Sequence, residues 1–183
     1  MILWILLALV VLVALWALTT YNKLIKLRNN CHEGFATMDV YLKKRFDLIP
    51  NLVETVKSYA KHEAETLEAV VAARSSATAP QSMEDRLKDE NQISGALRQI
   101  FALSENYPDL KANQNFLDLQ KQLGATEEDI ANARKYYNAV VKNYNNSCQM
   151  IPDSIIAHLG GFAPASMFEV TSAAERDNVK VQF

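Results

Sequence analysis

The distribution of apolar residues divides the chain into two parts. Every residue from Met1 to Leu18 is apolar, and at a helical rise of about 1.5 Å per residue such a run just spans a bilayer core of about 30 Å. Beyond it, apolar residues recur every three or four positions, as in amphipathic helices. The pattern predicts a transmembrane anchor over residues 1–20 that continues into a soluble helical body.

The first periodic stretch predicts a helix leaving the membrane with one buried face. Its apolar positions are Leu24, Leu27, Cys31, Phe35, Met38 and Leu42. We expect this helix to stop near residues 45–47, because Pro50 disfavours helix at the residue before it, and we expect Asp47 to cap a second helix. The second helix turns these residues inward: Val53, Val56, Ala60, Leu67, Val70 and Val71. A loop is predicted over residues 75–80.

Two further helices and a short one complete the prediction. The third begins near residues 80–82 and ends before Tyr107, with Leu87, Ile93, Leu97, Ile100 and Phe101 as its apolar stripe. A turn follows, and the fourth begins near Asn113 and is closed by Ile151 and Pro152. Its apolar side consists of Phe116, Leu119, Leu123, Ile130, Tyr137, Val141, Tyr144 and Cys148. Near residues 124–126 it either kinks or breaks, since Thr126 and Asp129 resemble a capping box. A short helix is expected over 153–158.

Together these elements predict an all-α protein. Long helices joined by short loops favour an antiparallel four-helix bundle, assigned to residues 21–163. Residues 164–183 are predicted to be an extended or loosely docked tail.

Charge and composition narrow the function. The 183 residues carry a formal net charge of −2, with five glycines and five prolines. No unopposed stripe of Lys and Arg is present, which argues against nucleic-acid binding. Cys31 and Cys148 form no CxxC motif, so two packed thiols are favoured over a zinc or redox site.

The first basic residues, Lys23, Lys26 and Arg28, all follow the apolar run. No cleavage-site pattern of small residues ends that run, which favours a retained anchor over a signal peptide. The positive-inside rule then predicts a single-pass membrane protein with its body on the cytoplasmic side. The three cations are expected to lie close to the lipid headgroups.

The sequence contains no recognisable catalytic, cofactor or metal motif. A di-metal helical bundle needs a Glu three residues before each ligating His, and none precedes His32, His62 or His158 in that way. A zinc protease helix needs a second His where Thr66 stands. We therefore assign no catalytic, cofactor-binding or metal residues, and predict a protein that is not an enzyme.

One polar set is a possible partner surface at the first predicted hairpin and along the second helix. It consists of Arg45, Asp47, Asn51, Glu54, His62 and Glu63. Each of these residues also has a structural interpretation, as a helix cap or an ion-pair partner. A second polar set repeats at seven residues, Tyr137–Asn138 and Tyr144–Asn145, and is interpreted as core residues that fix helix register rather than as a ligand pocket.

Several segments resemble the LemA family of membrane-anchored bacterial proteins. The agreement includes LKKRFDLIPNLV at 42–53, YPDLKAN at 107–113 and the two Tyr–Asn pairs. Met150 departs from the aromatic residue usual there. The resemblance implies one N-terminal span and a helical body. No catalytic activity is established for the family, so the resemblance supplies no mechanism.

The leading hypothesis is a non-enzymatic scaffold or assembly protein that contacts lipid through its N-terminal helix and an unidentified protein through its body. Homo-oligomers are expected through the small residues Gly34 and Ala36. One alternative is a sensor that binds a small ligand within the bundle, which requires an enclosed polar pocket. Another is a hydrolase using His62 and Glu63.

Overall fold

The structure, a computed structural model, describes residues 1–77 and 83–168, with side chains for all of these except 77 and 83–89. All regular secondary structure in this part of the chain is helical, which confirms the all-α prediction. The helices are α1 (Ile2–Tyr59), α2 (Ala64–Ala77), α3 (Met83–Ser104), α4 (Pro108–Lys111), α5 (Gln114–Gln149) and α6 (Asp153–Leu159).

Helix α1 carries both the apolar run and one wall of the body. It contains 58 residues without interruption, and no residue of its apolar window is buried. From Leu24 onward one face enters the core. By length and composition α1 is a candidate membrane span, and the predicted continuation of the apolar helix into the body is confirmed.

The predicted end of the first helix near residues 45–47 is wrong, because α1 passes through Pro50. Proline has no N–H, so the carbonyl of Phe46 loses its helical partner. The Nε of Arg74, on α2, donates to that carbonyl oxygen at 3.1 Å. A contact from another helix thus satisfies the group that proline leaves open. Asp47 caps nothing and instead pairs with Lys43 at 3.0 Å.

The predicted second helix is in fact the end of α1 followed by α2. The helix is interrupted at residues 60–63. Because α2 is a separate helix, the apolar repeat of α1 does not continue into it. Val71 was predicted to face inward but is exposed. The predicted loop also starts too early, since Ser75 and Ser76 lie in α2. Residues 78–82, which include the expected start of the third helix, and the side chain of Leu87 lie outside the described residues.

The second half of the chain follows the prediction more closely. Asn113 caps α5 by accepting a hydrogen bond from the N–H of Phe116 at 3.0 Å. Of the two alternatives at 124–126, a break is excluded, because α5 is continuous through these residues. The Thr126 hydroxyl donates to the carbonyl of Gln122 within that helix instead of capping a new one. The short helix α4 takes the place of the turn we expected.

Helices α1 and α5 run antiparallel along the body, as three contacts show: Phe35 with Tyr137, Arg45 with Glu127, and Tyr59 with Asn113 at the start of α5. A distal cluster, away from the apolar run, is formed by α1 to α5 and centres on Leu52, Ile100 and Phe116. A proximal cluster is formed by α1, α5, α6 and residues 162–168. Four long helices surround only the distal cluster.

Gly34 lies within this α1–α5 contact and not on a free surface. A Cβ at Gly34 would stand 3.3 Å from Cγ2 of Val140 and 3.4 Å from Cε1 of Tyr136. The glycine lets α5 approach α1 closely. It is therefore not available for the packing between copies that the sequence suggested, whereas Ala36 is exposed.

Candidate functional site

A polar groove lies between the distal half of α1 and the start of α5. Its volume is about 550 Å³, and it is lined by Asn51, Glu54, Thr55, Ser58, Tyr59, Asn113, Asn115, Asp118, Leu119 and Gln122. None of these ten side chains is cationic, and two are carboxylates. The groove therefore suits a ligand that brings hydrogen-bond donors or positive charge. We call it the distal groove.

Part of the predicted partner surface forms one wall of the distal groove. Asp47, Asn51 and Glu54 are spaced by four and three residues, which places them on one face of α1. All three are exposed, and Asn51 and Glu54 line the groove directly. The structure thus groups these three residues, and partner binding by them stays a prediction.

Arg45 was predicted on the same surface, but it is fully buried. It lies between Leu42 and Ile49 on the inward face of α1, so the helical repeat carries it into the core. Its Nη2 pairs with Glu90 of α3. Its Nη1 pairs with Glu127 of α5 at 2.7 Å and donates to the Ser94 hydroxyl at 3.1 Å.

Glu90 is the second buried member of this ionic cluster. Its carboxylate also accepts from Nη2 of Arg134 at 3.3 Å. Burial raises the pKa of Glu90, while the guanidinium groups of Arg45 and Arg134 act in the opposite direction. Because the members come from α1, α3 and α5, the cluster joins three helices at the level where the distal and proximal clusters meet.

His62 and Glu63 lie in the turn that follows α1, and they do not form an acid–base pair. His62 is exposed. The carboxylate of Glu63 accepts a hydrogen bond from the hydroxyl of Tyr107 at 3.1 Å, which ties the turn to the start of α4. This contact gives Glu63 a structural role.

The three membrane-proximal basic residues divide into two kinds. Lys23 pairs with Asp153 of α6 at 2.6 Å, and the guanidinium carbon of Arg28 lies 5.3 Å from the ring centroid of Phe162. Both hold the chain after α5 against α1. Lys26 is exposed, and contact of any of the three with lipid stays a prediction.

The pair Tyr144–Asn145 of α5 binds an extended segment of the same chain. Asn145 makes two hydrogen bonds to the backbone of Ala165: its Nδ2 donates to the carbonyl and its Oδ1 accepts from the N–H, both at 2.8 Å. The hydroxyl of Tyr144 donates to the carbonyl of Ala163 at 3.0 Å. All three hydrogen bonds therefore go to backbone atoms of the segment and none to a side chain.

The pair Tyr137–Asn138 makes the same contacts three residues further along the bound segment. Asn138 donates to the carbonyl of Phe168 at 2.9 Å and accepts from its N–H at 2.7 Å. Tyr137 donates to the carbonyl of Ser166 at 3.0 Å. Seven helical residues advance about 10.5 Å, and three extended residues advance about 9.3 Å. These two distances are similar, so the two Tyr–Asn pairs contact backbone groups that lie three residues apart in the segment.

This arrangement, which we call the Tyr–Asn ladder, changes the interpretation of its four residues. The tyrosines are buried, as the periodicity predicted, but the asparagines bind the segment at 163–168 and not a neighbouring helix. The bound stretch shows that residues 164–168 of the predicted tail are extended and docked. The rest of the tail, 169–183, lies outside the described residues.

Asn145→Ala is expected to loosen the segment at 163–168, because two hydrogen bonds to Ala165 are lost. At about 1 kcal/mol each, amide hydrogen exchange in the segment should accelerate by about tenfold or more. The neighbouring exposed Asn146→Ala serves as the matched control and should leave exchange unchanged. Equal rates in the two variants would contradict the bonding described here.

The two cysteines are free thiols buried in the proximal cluster. Burial is the main cause that raises the pKa of both Cys31 and Cys148. In the part of the chain that the structure describes, no group of three or more His, Cys, Asp and Glu side chains is placed to hold a metal ion. The cysteines therefore serve as packing residues in this fold.

Both thiols are expected to react slowly with an aromatic disulfide reagent, because the thiolate is the reactive form and the raised pKa lowers its fraction. At mildly alkaline pH the rate should be at least about tenfold below that of the unfolded chain. The rate is read from the absorbance of the released thiolate. A native rate equal to that in urea would show that the thiols are accessible.

A sequence model of the LemA family matches residues 34–183, which is most of the chain and most of the body. This chain belongs to the LemA family. The matched region starts after the apolar run, so it includes the ionic cluster, the distal groove and the Tyr–Asn ladder. It confirms the resemblance seen in the sequence.

The LemA-family chain is also similar to Protein LemA of Metamycoplasma hominis. The two are 24% identical over 132 residues, which cover 68% of this chain and 58% of that relative. The match thus spans little more than half the length of the relative. Neither the family description nor the relative's name states a reaction.

Two parts of this LemA-family structure were not predicted from the sequence. Arg45 was predicted at a helix end because Pro50 disfavours helix at the residue before it. The position of Arg45 between Leu42 and Ile49 in the apolar repeat nevertheless indicates that it faces inward. The contact between the ladder and residues 163–168 has no signal in the sequence, because the partners of the asparagines are backbone groups.

Proposed function

We propose that this LemA-family chain is a membrane-anchored, non-enzymatic scaffold that holds a protein partner in its distal groove. The observation that supports the proposal most directly is the unbroken helix α1, which carries the apolar run at one end and a wall of the groove at the other. The anchor and one wall of the groove therefore belong to one continuous helix.

The length of α1 sets the distance at which the partner is held. Thirty-three residues separate Leu18, at the end of the apolar run, from Asn51, at the groove. At about 1.5 Å per residue this corresponds to about 50 Å. The ionic cluster of Arg45 and Glu90 joins α1 to α3 and α5 six residues before Asn51, which holds the groove end of α1 in place.

The chemistry of the distal groove favours a basic, polar segment of a partner protein. Glu54 and Asp118 supply negative charge from opposite walls, and Asn51, Asn115 and Gln122 supply amides that can bind a peptide backbone. We place the body on the cytoplasmic side of the bacterial cytoplasmic membrane, because Lys23, Lys26 and Arg28 follow the span.

The two alternatives have weaker support. A small-ligand sensor needs an enclosed polar pocket, whereas the distal groove is open to solvent and the inward tyrosines Tyr137 and Tyr144 already bind the chain's own backbone. A hydrolase using His62 and Glu63 needs a free carboxylate, and that of Glu63 is bound by Tyr107.

A photocrosslinking amino acid at Ser58, inside the distal groove, tests the proposal in the full-length chain in native membranes. We expect a discrete crosslinked product. The double variant Glu54→Lys and Asp118→Lys should abolish it, because the groove then repels a basic segment. Glu128→Lys, an exposed carboxylate elsewhere on α5, is the matched control and should leave the product intact.

Two differently tagged copies in one cell identify the occupant. A product that contains both tags would identify the partner as a second copy of this chain, in line with the predicted homo-oligomer. A product with one tag identifies a different protein. If no product forms, or if the charge reversal leaves it unchanged, the groove does not bind the partner and the proposal is wrong.

A further inference from the structure

Four apolar side chains outside the apolar run are exposed together at the proximal end of the body. They are Met150 (63% exposed), Ile151 (83%), Ile155 (52%) and Leu159 (79%). They belong to α6 and the turn that precedes it, and we call them the proximal apolar face. Exposed apolar side chains gathered in one place mark a surface that meets another apolar phase.

Packing within the body does not account for this face. The opposite side of α6 packs against the proximal cluster through Ala157, which is buried, and Ile156. Ile155 and Leu159 are four residues apart on α6, so they share one side of that helix, and Ile151 is exposed in the turn before it. The helix therefore has a second apolar side, which the fold does not bury.

The position of α6 relies on contacts with the first turns of α1 beyond the apolar run. Lys23 pairs with Asp153 at 2.6 Å, and the rings of Tyr21 and Phe162 lie 5.4 Å apart, edge to face. Lys23 comes five residues after Leu18, or about 7.5 Å along the helix. If the apolar run spans a bilayer, α6 lies at the level of the lipid headgroups.

We propose that the proximal apolar face is a second membrane contact, which enters the bilayer interface beside the span. The inference rests on the proposed membrane anchoring. Interfacial helices bury their apolar side about 5–10 Å into the headgroup and acyl boundary. Because the anchor already holds α6 at the surface, insertion is an intramolecular step at high effective concentration.

The charges around the face agree with this occupant. Lys26 is exposed on the adjacent turn of α1, where a cation is attracted to anionic lipid, and the carboxylate of Asp153 beside the face is neutralised by Lys23. A second attachment point also fixes the tilt of the body, since a single helix can rotate and lean in the bilayer. The distal groove is then held in one orientation relative to the membrane.

Tryptophan quenching in vesicles tests the contact on the full-length chain. Trp4→Phe and Trp16→Phe remove both native tryptophans, and Leu159→Trp or Ile155→Trp introduces a single reporter on the face. The matched control is Val40→Trp, which also replaces an exposed apolar residue (66% exposed) but lies far along α1 from the span. Vesicles of zwitterionic and anionic lipid carry bromine on the upper acyl chain.

We expect blue-shifted emission and strong bromine quenching for the reporters at 155 and 159, and neither for the reporter at 40. Quenching at 155 and 159 no greater than at 40 would overturn the proposal. A blue shift without quenching, growing with the protein-to-lipid ratio, would overturn it in favour of a second copy covering the face.

A companion chain that carries only Trp4→Phe shows whether the anchor itself is in the membrane, independently of the second contact. Its remaining Trp16 lies in the apolar run and should be quenched in any membrane-anchored chain. Quenching of Trp16 without quenching at 155 and 159 rejects the second contact alone. The absence of both rejects the membrane anchoring as well.

Discussion

Replacing Arg45 with methionine is expected to lower the free energy of unfolding by about 3–5 kcal/mol. The arginine is fully buried and pairs with Glu90, which is itself buried. Methionine fills a similar volume but leaves the Glu90 carboxylate without its main cation. The loss is measured by urea unfolding of the full chain in detergent micelles, followed by near-ultraviolet circular dichroism.

Two further variants isolate the cause. Lys43→Met removes an exposed cation two residues away, whose pair with Asp47 lies in solvent, and should cost less than about 1 kcal/mol. The double variant Arg45→Met and Glu90→Leu removes both buried charges and should recover most of the loss. Failure of the double variant to recover stability would show that packing and not charge dominates at Arg45.

The stability of Arg45→Met should also depend on pH in a defined direction. Burial raises the pKa of Glu90, and Arg45 opposes that shift, so its removal raises the pKa further. A carboxyl group whose pKa is higher in the folded state stabilises the fold below its ordinary pKa of about 4.3. That contribution is lost as pH rises through the folded pKa. The deficit of the variant should therefore shrink in acid.

Pro50→Ala is expected to stabilise the protein by about 1–2 kcal/mol. An interior proline costs a helix about 3 kcal/mol, and the bond from Arg74 to the carbonyl of Phe46 offsets part of that cost. With alanine at position 50, the helical N–H returns to that carbonyl. Pro108, at the first turn of α4, is the matched control, because Pro108→Ala should be nearly neutral.

The link between Pro50 and Arg74 can be measured by a double-mutant cycle. Arg74→Met alone should cost about 1.5–3 kcal/mol, because the half-buried carbonyl of Phe46 loses a charged donor. In the Pro50→Ala background the same change should cost less than about 1 kcal/mol. Equal costs in the two backgrounds would mean that Arg74 stabilises the fold through other contacts and not by replacing the missing bond.

Local patterns in the sequence determined much of the fold. The unbroken apolar run predicted the start of α1, and the repeat from Phe116 to Cys148 predicted the buried face of α5. The start of the fourth helix was predicted near Asn113, the residue that caps α5. Each of these depends on residues within one or two turns of one another. Hydrophobic periodicity and capping act over that range, so the chain alone contains the information.

Tertiary structure decided the points at which a local preference had to be overcome or a distant partner supplied. Pro50 stays inside α1 because Arg74, twenty-four residues later, donates the bond that proline cannot. Arg45 is tolerated in the core because Glu90 and Glu127 arrive from other helices. Asn138 and Asn145 find their partners in an extended segment that follows α6. A buried polar group is stable only when its partner is in place, and which partner that is depends on how the helices pack.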